Sequence, residues 1–598
     1  MASKDSEASG ADPGEVSRTL ADLAERARRV FDACQARRQD GDDIRIPDPA
    51  VVTKAFISLG EKLLADPARL IEGQTRLWQG YADLLQATAR RVAGEDVTPI
   101  AEPSPDDRRF KDAAWSDQVA FDFIKQSYLL TADWLQETAR DVDGLDHKTA
   151  EKVDFYTRQL VDALSPTNFV VTNPQVLKAT INSKGENLIK GLKNLLGDLE
   201  SGGGRLSISM TDASAFTLGE TVAASPGKIV FENDLMQLIQ FAPSTKQVHR
   251  RPLLLVPPWI NKYYVLDLQP RNSLIKWLVD RGFTVFVVSW INPDESLGHK
   301  RFDDYMLEGP LAALGAIEKA AGEAEVNIIG YCIGGTLTAA ILSYMAAKGD
   351  KRVVSATFLT TMVDFSQPGE LGVFIDEEQL DSLDEHMAEK GFLEGSHMAT
   401  VFNMMRDKDL IWSFVINNYL MGRDPMPFDL LYWNSDATRM PAMMHGYYLR
   451  QMYLHNRLVE PGALSLDDQP IDLGRVKVPT YILSTLDDHI APWRSTFAAT
   501  GLYSGSIKFV LSGSGHIAGV INPPAAKKYC YWTNAKKVSD PDAWIDGATR
   551  HDGSWWPDWG RWLARRGGGK VAARKPGSGK LKTIEDAPGR YVKNRLGG

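Results

Sequence analysis

Residues 330–334, Gly-Tyr-Cys-Ile-Gly, set a thiol between two glycines where an apolar strand pattern ends and a small-residue helix pattern begins. Glycine, any residue, nucleophile, any residue, glycine is the spacing of a nucleophile elbow, a strained strand-to-helix turn that pushes one reactive side chain out of a sheet. The glycines are needed because side chains two positions either way would collide across so tight a turn. Cys332 then lies at a helix N-terminus, where free N–H groups and the helix dipole favour a thiolate. A thiolate nucleophile works with a base and with a third group that orients the base. Asp488 follows the strand-like run PTYILST, and His516 follows IKFVLS in the loop Gly513-Ser514-Gly515-His516. Among the ten histidines, His516 is the one in a glycine-flanked loop after the apparent last strand. Spacing alone does not choose between the adjacent acids Asp487 and Asp488, and His489 reads as structural. The chemistry these groups suit is covalent acyl transfer. Its developing oxyanion would be held by the N–H of Ile333 and by a second N–H from Val256-Pro257-Pro258-Trp259-Ile260. Prolines carry no N–H, so that donor is Trp259 or Ile260. The Pro-Pro-Trp segment reads equally as a rigid turn with a packed tryptophan.

The elements that must position these groups are legible in the hydrophobic pattern. After Ser207, β-rich runs alternate with helical stretches: RPLLLVPPW, GFTVFVVSW, VNIIGYC, VVSATFLTTMV, PTYILSTLDD and IKFVLSGSG. Such alternation predicts a parallel sheet with helices on both faces. With the chain order nucleophile, acid, histidine, the expected class is α/β, an α/β-hydrolase fold. The catalytic domain is expected over 205–565. Between Asp364 and His455 the alternation lapses into a stretch rich in Met and aromatics, which reads either as extra helical core or as a cap, about 364–455, lining an apolar channel. The preceding residues, 1–204, carry helical periodicity from LADLAERARRVFDACQARR to ENLIKGLKNLLGDL and read as a mostly helical N-terminal domain. Within it, 1–14 read as disordered and PIAEPSPDDRR, 99–109, as a linker; Gly202–Gly204 reads as the domain boundary. Trp555, Trp556, Trp559 and Trp562 read as packing residues. From Arg565 onward ten Lys and Arg face only Glu585 and Asp586, so 566–598 reads as a basic, solvated C-terminal tail.

Composition narrows the class. A chain of 598 residues, 43 % hydrophobic and 24 % charged, is an ordinary folded protein with a large core. A formal charge of −9 argues against a general nucleic-acid binder. The opening MASKDSEASGADPG lacks an apolar signal core, and no run reaches the roughly 18 apolar residues of a membrane span, so a cytoplasmic protein with no membrane span is expected. Cys34, Cys332 and Cys530 are too scattered for a disulfide framework or a paired-cysteine metal site. No metal is expected, since no ligand cluster appears and the three groups need none.

Several motifs, GYCIGGT, PPWINKYYVLDLQPRNS, FVVSWINPD, LDDHIAPW, SGSGHIAGVINPP, SWWPDWGRWL, RRFKDAAW and FDFIKQSYLLTADWL, occur in one order. Together they resemble the class I polyhydroxyalkanoate synthases, over about residues 105–565 and the closing APGRYVKNR. The first 100 residues match weakly. The resemblance implies that Cys332 is the nucleophile, that Asp488 rather than Asp487 is the acid, and that His516 is the base. Tyr331 and Ile333 stand where Phe and Val are commoner, a change that leaves the turn intact. It further implies polymerisation of (R)-3-hydroxyacyl-CoA, with short-chain units such as 3-hydroxybutyryl, into polyester with release of CoA through a Cys thioester. No cofactor is implied. The implied partners are the growing chain, the granule surface and its proteins, and a second copy in a homodimer; the implied place is the cytoplasm at the granule surface. The basic tail could then attract CoA phosphates or another protein. A thiol suits repeated transfer, because an acyl group on sulfur lies close in energy to the thioester substrate. Two alternatives are an acyl-CoA thioesterase and a non-catalytic granule scaffold. CoA release with insoluble polymer separates the three.

Overall fold

The computed structural model describes residues 13–39, 48–140 and 142–595, which divide into two compact units. Of the segment expected to be disordered, residues 1–12 lie outside the described residues, while Pro13 and Gly14 open the first helix. One unit comprises the described part of Met1–Asp212 together with Arg406–Met426; the other is Ala213–Met405 with Pro427–Gly598.

The first unit is helical for local reasons. Asp48-Pro49 and Asp66-Pro67 each start a helix, Pro49–Ala65 and Pro67–Val92, with the aspartate accepting from a first-turn N–H and the proline in the position that needs no donor. Longer helices follow at Val119–Ala139, His147–Ala163 and Glu186–Ser201. They bury small apolar clusters, such as Ala55, Leu59 and Leu63 against Ala139, Val142 and Val153. The expected linker ends pinned: Arg109 pairs with Asp107 at 2.8 Å and Asp162 at 3.0 Å, beside buried Phe110. This unit runs on to Asp212 rather than stopping at 204. It also takes in Arg406–Met426, from the middle of the expected cap. There Tyr419 donates to Asp198 at 2.6 Å, and Gly191 lies so close to the Tyr419 carbonyl that a Cβ would stand 1.7 Å from it.

The second unit is built on an eleven-stranded sheet. In chain order its strands are β1 (Gly227–Glu232), β2 (Met236–Phe241), β3 (Leu253–Val256), β4 (Val285–Trp290), β5 (Val326–Tyr331), β6 (Val353–Leu359), β7 (Thr480–Thr485), β8 (Ile507–Ser512), β9 (Cys530–Thr533), β10 (Thr549–Asp552) and β11 (Glu585–Asp586). Across the sheet the order is β10-β9-β8-β7-β6-β5-β3-β4-β2-β1-β11. The six strands from β3 to β8 are parallel, and they are the six runs read from sequence. β3, β4, β5 and β7 are buried along their whole length, as expected where both faces are covered. Antiparallel strands extend both edges. The fold is that of an α/β hydrolase, with the long insertion 360–479 between β6 and β7.

The reading of 566–598 as a free basic tail is corrected. Lys570–Ala572 pairs with Gln247–His249, and β11 pairs with β1 through Lys228↔Asp586 and Ile229↔Glu585. Val592 is buried, and Arg590 pairs with Glu232 and Glu585. The tail's basic composition hid its backbone complementarity to two strand edges. The four tryptophans behave as expected: all are buried, on or beside the helix Trp556–Ala564.

Candidate active site

Tyr331 ends β5 and Ile333 starts the helix Ile333–Lys348, which leaves Cys332 alone in the turn at φ 52°, ψ −125°. A non-glycine residue in that region stores strain and persists only where its surroundings hold it. They do so from two sides. The Cys332 N–H donates to the carbonyl of Leu359 at the end of β6 (2.9 Å), and the Cys332 carbonyl accepts from Gly335 (2.8 Å). A Cβ on Gly330 would come within 2.5 Å of Gly335 Cα, and one on Gly334 within 2.3 Å of the Val256 carbonyl. Glycine is therefore required at both positions, and the helix start packs directly on the loop leaving β3.

Two further strands supply the acid and the imidazole. Asp488 lies after β7 and His516 after β8; they are 8 % and 6 % exposed. His516 Nδ1 donates to both Asp488 oxygens, at 2.8 and 3.0 Å. The carboxylate accepts three more bonds, from Thr485 Oγ1 (2.9 Å) and from the N–H groups of Ile490 (3.0 Å) and Ala491 (2.8 Å). Asp487 is exposed, whereas Asp488 is buried and bonded to the imidazole. Half-buried His489 stands next to Asp488 in the turn.

The Cys332 sulfur reaches the same imidazole by hydrogen bond and by charge. Burial alone would lower the His516 pKa, but the Asp488 carboxylate and then Cys332 override it and push it up to about 10. Burial likewise works against ionised Asp488, yet the imidazolium and the donated hydrogen bonds hold it below the usual carboxylate range. The three groups thus come together as one hydrogen-bonded line.

Ile333 opens the elbow helix, so its N–H has no intrahelical acceptor, and among the described residues neither it nor the N–H of Trp259 is engaged. The Trp259 indole is buried against Trp290, Phe302 and Tyr305, while its carbonyl accepts from Thr438. Both readings of this tryptophan, donor and packing residue, thus have a structural counterpart.

Three features escaped the sequence reading. Tyr331 stacks on the His516 ring and donates to its carbonyl. Tyr448 and Tyr453 reach Cys332 from the insertion, where the helix Ala442–Tyr448 continues into wider turns at Leu449–Leu454. Burial raises both phenols first, and the Cys332 charge adds to it. The third is a use for the tryptophans: Trp555 and Trp556 donate through Nε1 to the carbonyls of Gly519 (3.0 Å) and Val520 (2.8 Å), pinning the loop that carries His516. Glycine flanks mark that loop in the sequence, but only the fold shows what holds it.

Among the described residues, no group of three or more His, Cys, Asp or Glu is placed to hold a metal ion, and no helix is long and apolar enough to cross a membrane.

Two family models match the chain: the N-terminus of poly-beta-hydroxybutyrate polymerase (PhaC) over residues 106–278 and the alpha/beta hydrolase fold over 251–523. The poly(3-hydroxyalkanoate) polymerase subunit PhaC of Rhizobium meliloti is 48 % identical over 586 residues, 98 % of this chain and 96 % of that one. The poly(3-hydroxyalkanoate) polymerase of Methylorubrum extorquens is 50 % identical over 543 residues, covering 91 % and 90 %. The PhaC subunit of Cupriavidus necator is 44 % identical over 533, covering 88 % and 89 %. With identity at this level sustained over nearly its whole length, the chain belongs to the poly(3-hydroxyalkanoate) polymerase family.

Proposed function

We propose that this protein polymerises (R)-3-hydroxyacyl-CoA, with short-chain units such as 3-hydroxybutyryl, into a polyester, releasing one CoA per unit added. Cys332 is the nucleophile, His516 the acid and base, and Asp488 the group that orients and charges His516. The observation that carries this reading is the strained Cys332 turn held against the His516–Asp488 pair.

The Cys332 thiol proton passes to His516, and the thiolate attacks the thioester carbonyl. The tetrahedral oxyanion takes hydrogen bonds from the Ile333 and Trp259 N–H groups. Its collapse breaks the bond to CoA sulfur, and the departing thiolate takes the proton back from His516. Acylation changes His516 in turn. Cys332 is one source of its raised pKa, and that source disappears when the sulfur becomes a neutral thioester. His516, neutral again once CoA has left with the proton, then stays neutral more readily and is free to take the proton of the next unit's 3-hydroxyl. That hydroxyl attacks the acyl-sulfur carbonyl; the acyl–sulfur bond breaks, the Cys332 sulfur takes the proton from His516, and the chain, one unit longer and now carried as the CoA thioester of the new unit, acylates Cys332 again with release of CoA.

The insertion supports the same reading, since it brings the packed aromatic pair Tyr448 and Tyr453 within range of the Cys332 charge, a surface suited to an acyl chain. Work on polymer at a granule surface in the cytoplasm, beside granule proteins and as a homodimer, belongs to the same proposal. Incubation with 3-hydroxybutyryl-CoA and with longer acyl-CoA substrates tests it. CoA release with insoluble polymer is expected, faster for the short unit; CoA with only soluble acid would make the protein a thioesterase, and neither product would make it a scaffold.

A further inference from the structure

The loop that carries Trp259 ends in a buried lysine. Lys262 is 4 % exposed, and its ammonium pairs with Asp436, 3 % exposed, at 2.8 Å. It also donates to the carbonyls of Val592 and Asn594, each at 2.8 Å. The second Asp436 oxygen accepts from Tyr264 at 2.8 Å and faces Arg595 at 3.3 Å. The loop backbone is tied to the same segment of the insertion: Asn261 bridges Ala437, the Thr438 N–H donates to the Ile260 carbonyl at 3.2 Å, and Trp433 Nε1 donates to the Lys262 carbonyl at 2.7 Å.

An ion pair taken out of water is no cheap source of stability, and apolar residues of similar volume often serve as well. What such a pair supplies is a fixed arrangement, because a buried charge tolerates few alternatives to its partners. Here the arrangement joins three distant stretches of chain: the loop after β3, the insertion near 436 and the last residues of the tail. The other end of that loop, at Val256, touches the elbow helix through Gly334. Burial lowers the Lys262 pKa, and Asp436 opposes the shift.

We infer that Lys262 is a positioning residue for acyl transfer, clamped by Asp436 and by the tail carbonyls of Val592 and Asn594 so that the Trp259 N–H is held ready for the oxyanion. The inference rests on the functional reading given above. The tail is then a working part of the site through the backbone carbonyls of Val592 and Asn594.

The test uses the full-length chain with Lys262→Met, Asp436→Asn and the double variant Lys262→Met/Asp436→Leu, which removes both buried charges and so avoids leaving one unpaired. Rapid-quench measurement of the first CoA released from saturating 3-hydroxybutyryl-CoA reads acylation, and the rate of Cys332 alkylation by iodoacetamide reads the Cys332–His516 pair independently. Losing an oxyanion donor slows acylation by about a hundredfold or more, so a fall in kcat of about tenfold to a hundredfold with KM nearly unchanged is expected of a misplaced donor. Alkylation should stay near the unaltered rate. Any folded variant, the double variant above all, that keeps normal acylation overturns the inference. So does parallel slowing of acylation and alkylation, which would place the damage at the elbow. If the unaltered protein released no CoA at all, the functional reading would fail first and take this inference with it.

Discussion

Tyr331 lies face to face with His516, ring centroids 5.8 Å apart and planes 23° apart, and its hydroxyl donates to the His516 carbonyl at 3.3 Å. The residue beside Cys332 thus supports the His516 loop. Tyr331→Phe keeps the stack and loses one buried hydrogen bond, so a stability loss of about 1 kcal/mol with little change in turnover is expected. Tyr331→Ala removes the support itself. It should cost ~3–5 kcal/mol and slow CoA release far more than the hydroxyl deletion does. Denaturant unfolding and CoA release on the same preparations check both; equal kinetics for the two variants would contradict the supporting role.

Cys332→Ala should abolish CoA release and polymer alike, because the elbow offers no other nucleophile. Cys34, which donates to the Gly204 carbonyl in the other unit, and Cys530, at the start of β9 well away from the elbow in the sheet order, should each be replaceable by alanine with substantial activity kept. Turnover by Cys332→Ala, read as CoA in a thiol assay, would sink the assignment.

Asp488 and His516 should separate by step. A thiol gives up its proton readily, with a free pKa of about 8.5, whereas a hydroxyl is a far weaker acid. Asp488→Asn is therefore expected to acylate, releasing roughly one CoA per site, and then to elongate very slowly, while His516→Gln loses acylation as well. Rapid-quench CoA release beside chain growth on labelled acyl enzyme measures this. Normal elongation by folded Asp488→Asn, or no acylation at all, would show the division to be wrong.

Stability should fall at both ends of the pH scale for separate reasons. The folded pKa of His516 is raised to about 10, so its contribution is complete below its ordinary 6.5 and is lost as pH climbs towards 10. The Asp488 pKa is lowered, so its contribution is complete above its ordinary 3.8 and is lost as pH falls below that value. Denaturant melts from pH 6 to 10 should show a decline in the unaltered protein that is much shallower in His516→Gln. Parallel curves would mean that His516 is not charged by its neighbours.

Much of this was legible because its signals are local. The six parallel strands are apolar runs closed by glycines or polar residues, and the elbow is five consecutive residues. Asp488 and His516 sit directly after strands, where their spacing could be read. What escaped depends on contacts between distant segments. β10 is Thr-Arg-His-Asp, with no apolar pattern, and it pairs only because its backbone meets β9. Tyr448 and Tyr453 reach Cys332 across more than a hundred residues of chain, which no window of sequence contains. The tail read as solvated because ten cations dominate it, whereas its attachment runs through carbonyl oxygens and through Val592.

β11 closes the sheet against β1, yet in order of synthesis it comes last. Cys332 leaves the ribosome 254 residues before Asp586, a delay on the order of 10–50 s at ~5–20 residues per second. For most of that interval Cys332 exists without the Trp556–Ala564 helix, and for all of it without the completed final strand. In order of synthesis Cys332 therefore waits for the helix that pins the His516 loop and for the strand that completes the sheet. Chains stalled with residues 585–595 inside the exit tunnel should release no CoA and should begin once freed, whereas release from the stalled chains would show that the centre matures without its last strand.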